Sequence, residues 1–546
     1  MQDRLRDAKV QGLILAAGLL LAYGASLAGH WVSDDWPQIA ANPFLDSLAN
    51  LPKAFAQGVW ASSGLETADR QFYRPLYVVW NLLLKTLFGP APLAFHLAAL
   101  LLHGVNAALV WMLARRLWPK ADPLFWGLAA GLFAFHPAKA ESVAWISGAT
   151  DPLLTLFVLL ALLAWLAQRL GWALAAFAAA LLVKETAALL PVVLALLAWM
   201  RGEAIPWRRL ALFLLVLLVY LGLRHWALAG EGPRLALSAD GFLRLGDFAA
   251  LSLRYALLPD GAPFYFSMPP QPAGWAERGL GLVVLLGLAG SAWWAPATRL
   301  PVLGFFLFLA PPLLGAFHEK GVFALRNLYL PSVGLALLAP ALLVSFPKAR
   351  PALLAGLAAL LPLGLFASHV FAADWQNDGA FFAKVIRTDP ACGSGYSGLA
   401  QHHRRERRLD AALAAWREGA EKARLPQDRL AFLEAIGVHA GQAGRAQESI
   451  AAYLILAVEH PDKSIAQTGL GNNALAQGRF QAAREHYRQA LAVAPDAVEP
   501  LANGAFAAER LGLADEAKAY SARLLALPES QVPAPIRAQA RQRLGR

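Results

Sequence analysis

Residues 10–37 read VQGLILAAGLLLAYGASLAGHWVSDDWP, and the rest of the chain is interpreted outward from them. The apolar run at 10–29 is about the 20 residues a helix needs to cross the hydrocarbon core of a bilayer. It emerges at Trp31 and Trp36, a residue type that favours the membrane–water boundary. Between them stand two adjacent carboxylates, Asp34 and Asp35. A general base held there can work on a substrate whose other half lies in lipid. Asp is also a good helix cap, but two acids squeezed between tryptophans exceed what capping requires. Ser26-Leu27-Ala28 resembles a cleavage site, yet the run exceeds the roughly 7–15 residues of a signal peptide. A retained anchor is therefore expected.

The totals agree with a membrane protein. Hydrophobic residues make up 58% of the 546, and only 16% are charged, where soluble domains carry roughly 25%. The formal charge of +11 is compatible with nucleic acid, but many of the bases sit in short loops between apolar runs, the membrane pattern. No nucleic-acid module is legible. A single cysteine, Cys392, rules out an intramolecular disulfide framework.

Further spans are expected at 92–113, 123–136, 152–167, 171–183, 186–200, 209–223, 279–294, 300–315, 328–346 and 351–371, about eleven crossings with the first. Residues 44–55 suggest a helix lying in the interface, and 73–89 a short apolar helix. Arg4, Arg6 and Lys9 put the N-terminus in the cytoplasm. Counting alternate loops then puts Arg115, Arg116, Lys120, Arg169, Arg201, Arg208, Arg209, Arg299, Lys348 and Arg350 inside. The acids Asp34, Asp35, Glu66, Asp69, Glu141, Asp151, Glu231, Asp240 and Glu277 fall outside.

From Asp374 the apolar runs stop and a period appears. Gly444, Ser449, Tyr453 and Pro461 recur as Gly478, Ala483, Tyr487 and Pro495, each 34 residues on, the tetratricopeptide period. Gly512 and Ala517 continue it, and Leu409, Ala412 and Trp416 form a degenerate earlier copy. The expected fold class is all-α: a polytopic membrane helical bundle over 1–373 and a tetratricopeptide-repeat solenoid over 374–546. The odd crossing number places the repeats on the non-cytoplasmic side with Asp34 and Asp35.

Ionisable groups within or beside apolar spans are costly and point to function. Pro137 breaks the helix after His136, so His136 and Glu141 can fold toward one another at a cavity; a snorkelling turn is the plain alternative. Lys184 and Glu185 interrupt an otherwise uncharged run. As neighbours they cannot share a helix face, and they serve either as a lipid-phosphate ligand with its orienting carboxylate or as a structural pair. Arg224-His225, His318-Glu319-Lys320 and Arg326 add cations. His96, His103 and Asn106 share one face and read as polar packing. There is no His-Glu-x-x-His, cysteine cluster or phosphate-binding glycine loop. No metal site or cofactor is indicated; Asp34 and Asp35 would hold a divalent ion only with partners from elsewhere.

Taken together, the chain resembles the membrane glycosyltransferases of the GT-C fold, above all the transmembrane-and-tetratricopeptide O-mannosyltransferases and their bacterial relatives. The carrying segments are Asp34-Asp35 with Ile39 and Asn42; Tyr73-Arg74-Pro75-Leu76 leading to Phe95-His96 and Leu102-His103; His136-Pro137 with Glu141 and Asp151; Lys184-Glu185; and Arg326 with Leu328-Tyr329-Leu330-Pro331-Ser332. They run in the family's order ahead of its repeats. One departure is Leu325, where the family usually has a Glu before the Arg. The resemblance implies transfer of a sugar from a polyprenyl-phosphate carrier to a protein hydroxyl, on the non-cytoplasmic side of the inner membrane. Asp35 or Asp34 is then the base, Lys184, Arg74 and Arg326 receive the departing phosphate, and His136, Glu141 and Glu185 support them. The repeats hold the acceptor polypeptide. Other readings are a glycan or lipid A acceptor, a non-catalytic scaffold, or a transporter, though no inverted repeat is evident.

Overall fold

A computed structural model describes residues 2–63, 72–230, 238–257, 274–317 and 324–545. Glu66, Asp69, Glu231 and the His318-Glu319-Lys320 cluster lie outside these residues. The chain forms two compact units, Met1–Lys384 and Val385–Arg546. Among the described residues both are helical throughout, with no strand.

The first unit is built from α1 (Ala8–Tyr23), α2 (Pro75–Phe88), α3 (Pro92–Leu117), α4 (Pro123–Ala134), α5 (Thr150–Leu166), α6 (Leu170–Val183), α7 (Leu190–Met200), α8 (Trp207–Ala227), α9 (Ala239–Leu257), α10 (Trp275–Trp294), α11 (Arg299–Leu313), α12 (Ser332–Ser345) and α13 (Arg350–Ala373). Seven helical stretches among the described residues are long and apolar enough to cross a membrane: Ala8–Ala28, Pro92–Leu117, Ile146–Leu166, Trp207–Ala227, Pro296–Phe317, Leu325–Ser345 and Arg350–Ala373. Their outer faces are bare. On α8 and α13, Leu218, Trp226, Leu363 and Phe366 are 64–67% exposed, an apolar surface that only lipid makes inexpensive.

Of the about eleven expected crossings, the described residues give seven stretches long and apolar enough to span alone, and the remaining candidates are shorter or carry charge. α4, α6 and α7 span 12, 14 and 11 residues, so α4 rises only about 18 Å against a core of about 30 Å. α10 is 20 residues long but carries Glu277 and Arg278 in its first turns. A hydropathy window cannot separate a crossing helix from one that stops inside. The loop-charge parity drawn from that count therefore rests on helices too short to cross alone.

Polar pairs set how the helices meet. Asp122 caps α4 through the Leu124 amide, and its Oδ2 lies 2.9 Å from Arg6, tying the α4 entry to the N-terminus. At the centre, His103 Nε2 donates to the Ala134 carbonyl at 3.0 Å. Its Nδ1 accepts from the Tyr329 hydroxyl at 2.6 Å. Asn106 donates to that same hydroxyl and to the Pro152 carbonyl. One histidine and one asparagine of α3 thus satisfy groups from α4, α5 and the segment ahead of α12, while the buried Asn106 Oδ1 has no hydrogen-bond partner among the described residues. The first unit also continues past α13, because Trp375 stacks on Trp145 at 5.2 Å and on into Phe381.

The second unit stacks α14 (Gly393–Arg405), α15 (Leu409–Lys422), α16 (Pro426–Gln442), α17 (Ala446–Glu459), α18 (Ser464–Ala476), α19 (Phe480–Val493), α20 (Val498–Arg510), α21 (Ala514–Ala526) and α22 (Ala534–Arg543). These are antiparallel pairs, each burying its apolar stripe on its neighbours. Gly444, Gly478 and Gly512 close the turns at φ +76°, +71° and +76°, a conformation open to glycine at little cost. A Cβ on Gly437 or Gly471 would fall 2.6 or 2.5 Å from the rings of Tyr453 and Tyr487. The 34-residue repeat is thus one packing rule used twice: a bare backbone on the first helix faces a tyrosine on the second.

Candidate active site

The loop after the first span turns back on itself at Ser33, a non-glycine residue at φ +53°. This turn separates the fates of the two acids. Asp35 is fully buried. Its Oδ2 accepts from the Val32 amide at 2.9 Å, and its Oδ1 accepts from the amide and the hydroxyl of Ser147 at 2.8 and 2.5 Å. Burial pushes its carboxyl up to about 7 despite those three donors. Asp34 remains half-buried. Burial raises its carboxyl as well, opposed by the charge of Arg326 and a hydrogen bond from Ser33.

Trp145 and the segment after α13 hold this loop. The Trp145 indole donates to the Val32 carbonyl at 3.0 Å. The buried Asp378 accepts from the Ser33 amide at 2.7 Å and from the Trp36 indole at 3.0 Å. His30 donates its amide to the Gln376 carbonyl at 2.8 Å. Trp36 is thus a hydrogen-bonded clamp as well as an interfacial ring. Sequence reasoning missed Ser147, Trp145, Trp375 and Asp378. Ser147 carries no sequence signal, whereas the Trp-Gln-Asn-Asp stretch at 375–378 is marked by its place directly beyond a span.

Each expected phosphate-seeking cation faces one carboxylate, and Arg326 and Lys184 are hydrogen-bonded to theirs. Glu141 takes Arg326 at two points: Oε1 accepts from the guanidinium at 2.5 Å and Oε2 from the backbone amide at 2.9 Å. Leu325, the residue before Arg326, is buried, and the charge opposite the guanidinium comes from Glu141. The guanidinium also lies 5.1 Å over the Trp145 ring. Lys184 donates to Asp151 at 2.7 Å, so its orienting carboxylate is Asp151 and not the expected Glu185. The chain is extended at Lys184, with φ −159° and ψ 137°. That break gives two neighbouring charges separate partners, and Glu185 faces Arg74 at 3.9 Å. The Arg74 guanidinium sits 4.6 Å over Phe72, and its buried Nε has no hydrogen-bond partner among the described residues.

His136 does not meet Glu141. Its Nδ1 accepts from the Ala138 amide at 3.2 Å, and Nε2 donates to the Ala256 carbonyl at 2.8 Å. Burial drives its pKa down to about 3, with the charge of Lys139 acting in the same direction. It is a neutral brace for the Pro137 turn. Lys139, fully buried, bonds the Ser332 hydroxyl and lies 4.8 and 5.1 Å from the rings of Phe133 and Tyr329. The 136–141 turn is thereby fastened to 326–332 at both ends. Among the described residues no group of three or more His, Cys, Asp or Glu is placed to hold a metal ion.

The arrangement therefore offers one half-buried acid, Asp34, and three cations whose donors are only partly used. An ammonium has three donors and a guanidinium five, more than their carboxylates occupy.

No family model matches the chain. Over 154 residues it is 34% identical to a human protein named Protein O-mannosyl-transferase TMTC1, covering 28% of this chain and 17% of the relative. A fruit-fly relative, Protein O-mannosyl-transferase Tmtc2, is 34% identical over 196 residues, covering 33% of this chain and 20% of the relative. A nematode protein, Protein O-mannosyl-transferase F38B6.6, is 30% identical over 154 residues, covering 28% and 22%. The chain thus spans about a fifth of the length of the curated relatives it matches, and the aligned stretch is much shorter than the run of motifs. The crystal structure of yeast Tom70 aligns with 80% of this chain and 88% of its own at 11% identity and TM-score 0.26. That of PilW, a type IV pilus biogenesis factor, covers 38% and 89% at 17% identity and TM-score 0.26. Scores this low carry no argument about fold.

Proposed function

We propose that the chain is an inverting glycosyltransferase that moves a sugar from a polyprenyl-phosphate donor to a Ser or Thr hydroxyl of exported protein, at the outer face of the inner membrane. The observation that carries this is the partition at 33–35: one acid is locked into the fold, while its neighbour is left half-buried within the field of Arg326. Similarity to relatives named as protein O-mannosyl-transferases supports the class of acceptor.

In this reading Asp34 accepts the hydroxyl proton as the serine or threonine oxygen bonds to C1 of the sugar. The C1–O bond to phosphate breaks on the opposite face, its electron pair leaving with the phosphate, so the anomeric configuration inverts. Arg326, Lys184 and Arg74 meet the charge that develops there. Carboxylates keep Arg326 and Lys184 from reorienting, which is how preorganised electrostatics lowers a barrier. Asp35 supports the turn that aims Asp34, and the repeats recruit the acceptor chain.

Intact-mass measurement of exported proteins, with and without this gene and with Asp34→Asn, tests the proposal. Hexose increments lost in both the deletion and the variant support it. Masses unchanged in the deletion overturn it.

A further inference from the structure

Away from this site, α3, α5 and α6 enclose an open groove of about 870 Å³, within the size range of small-molecule sites. Its depth comes from α6, where Ala175, Ala176 and Ala179 leave a trough. Leu109, Met112 and Leu160 form the opposite wall; Met112 and Leu160 are 46% and 38% exposed, so the trough opens sideways. One end is cationic. Arg116, in the last turn of α3, and Arg169, just ahead of α6, both line it and are exposed. Neither makes an ion pair with a described acid. Trp172, 72% exposed, stands beside them. The α5–α6 turn that presents Arg169 is tight: Gln168 adopts φ +57°, and its side chain accepts from Arg209, which brings in a third cation.

The cationic end lies away from the catalytic cluster. Asp151 begins α5 and the arginines lie past its far end at Leu166, about 22 Å along the axis at 1.5 Å per residue. The phosphate of a donor engaged at Lys184 and Arg74 cannot be the anion that Arg116 and Arg169 meet.

We infer that this groove binds one anionic phospholipid of the leaflet opposite the catalytic cluster, its acyl chain along the alanine trough and its phosphate between Arg116 and Arg169. A sideways-opening apolar channel suits a lipid chain, and arginines without acids beside an interfacial tryptophan suit an anionic headgroup.

The test is native mass spectrometry of the full chain in detergent, titrated with phosphatidylglycerol or phosphatidylcholine of the same acyl composition. One phosphatidylglycerol should bind about thirtyfold more tightly, as expected from two arginines facing an anionic headgroup. Arg116→Gln with Arg169→Gln should cut that preference below about threefold. Ala179→Leu, which fills the trough and keeps both charges, should weaken both lipids about tenfold. Equal binding of the two lipids by the unaltered chain overturns the inference, whatever the variants do. So does a preference that survives the double substitution, or displacement of the lipid by glycerol phosphate alone.

Discussion

Asp35 is held by Ser147 through two hydrogen bonds to one carboxylate oxygen, 2.8 Å from the amide and 2.5 Å from the hydroxyl. With the Val32 amide on the other oxygen, the side chain is fully engaged. Its neighbour Asp34 has no such cage, and the two acids should respond differently to the same change.

Asp34→Asn should lower sugar transfer by about 10²–10⁴-fold, the usual worth of a general base, with little change in melting temperature. Asp35→Asn should lower transfer and also destabilise the fold by about 1–3 kcal/mol, because its amide NH₂ would face a donor that now needs an acceptor. Transfer to a synthetic Ser/Thr peptide and thermal unfolding in detergent separate the two. Equal losses of stability in both variants would contradict this division of roles.

Burial raises the Asp34 carboxyl, so the base becomes ionised only above the ordinary carboxylate range of about 4. Transfer should be present above that raised value and fall away as pH drops through it. A kcat/KM profile still flat down to pH ~4 would speak against Asp34. Asp35 acts on stability instead. With its folded value at about 7 and an unfolded value of about 3.9, the native state binds more protons across that window. Stability should therefore decline as pH rises from ~4 to 7, and Asp35→Asn should flatten the slope.

Glu141→Gln leaves Arg326 without its charge partner. The loss should be about 2–3 kcal/mol, below the roughly 3–5 kcal/mol of a fully buried pair, because the Arg326 side chain is 29% exposed while that of Glu141 is fully buried. Thermal unfolding of the variant reads this directly, and an unchanged melting temperature would show the pair to be idle.

Arg74 contacts Glu185 only at 3.9 Å, and its Nε bonds to none of the described residues. Its donors suit a ligand. Arg74→Gln should raise the KM for the lipid-linked donor about tenfold to a hundredfold, the worth of a hydrogen bond to a charged group, with melting temperature nearly unchanged. A variant that unfolds early while keeping its KM would make Arg74 structural.

In the degenerate first repeat, Arg407 stands at φ +58° where the later turns use Gly444, Gly478 and Gly512. Left-handed backbone costs a side-chain-bearing residue about 1–2 kcal/mol, and glycine's greater unfolded freedom takes back about 0.4–1 kcal/mol. Arg407→Gly in the full chain should therefore stabilise the repeats by about 0.5–1 kcal/mol. Hydrogen exchange across α14 and α15 would register the gain as slower opening.

The sequence by itself determined the membrane character, the helical class and the repeats. Runs of apolar residues with few charges, and a glycine and a tyrosine returning every 34 residues, are local or periodic signals that survive without coordinates. It also supplied the ionisable residues of the site, since a charge in an apolar context is conspicuous one residue at a time. The pairing belonged to the tertiary structure. Nothing in the order of residues joins Lys184 to Asp151 over Glu185, or gives Arg326 to Glu141 when Leu325 fills the adjacent position, because such partners meet only after separate helices pack. The same holds for Asp34 and Asp35. Two identical side chains in adjacent positions became a half-buried acid and a caged one because Ser33 turns the backbone and Ser147 arrives from over a hundred residues away.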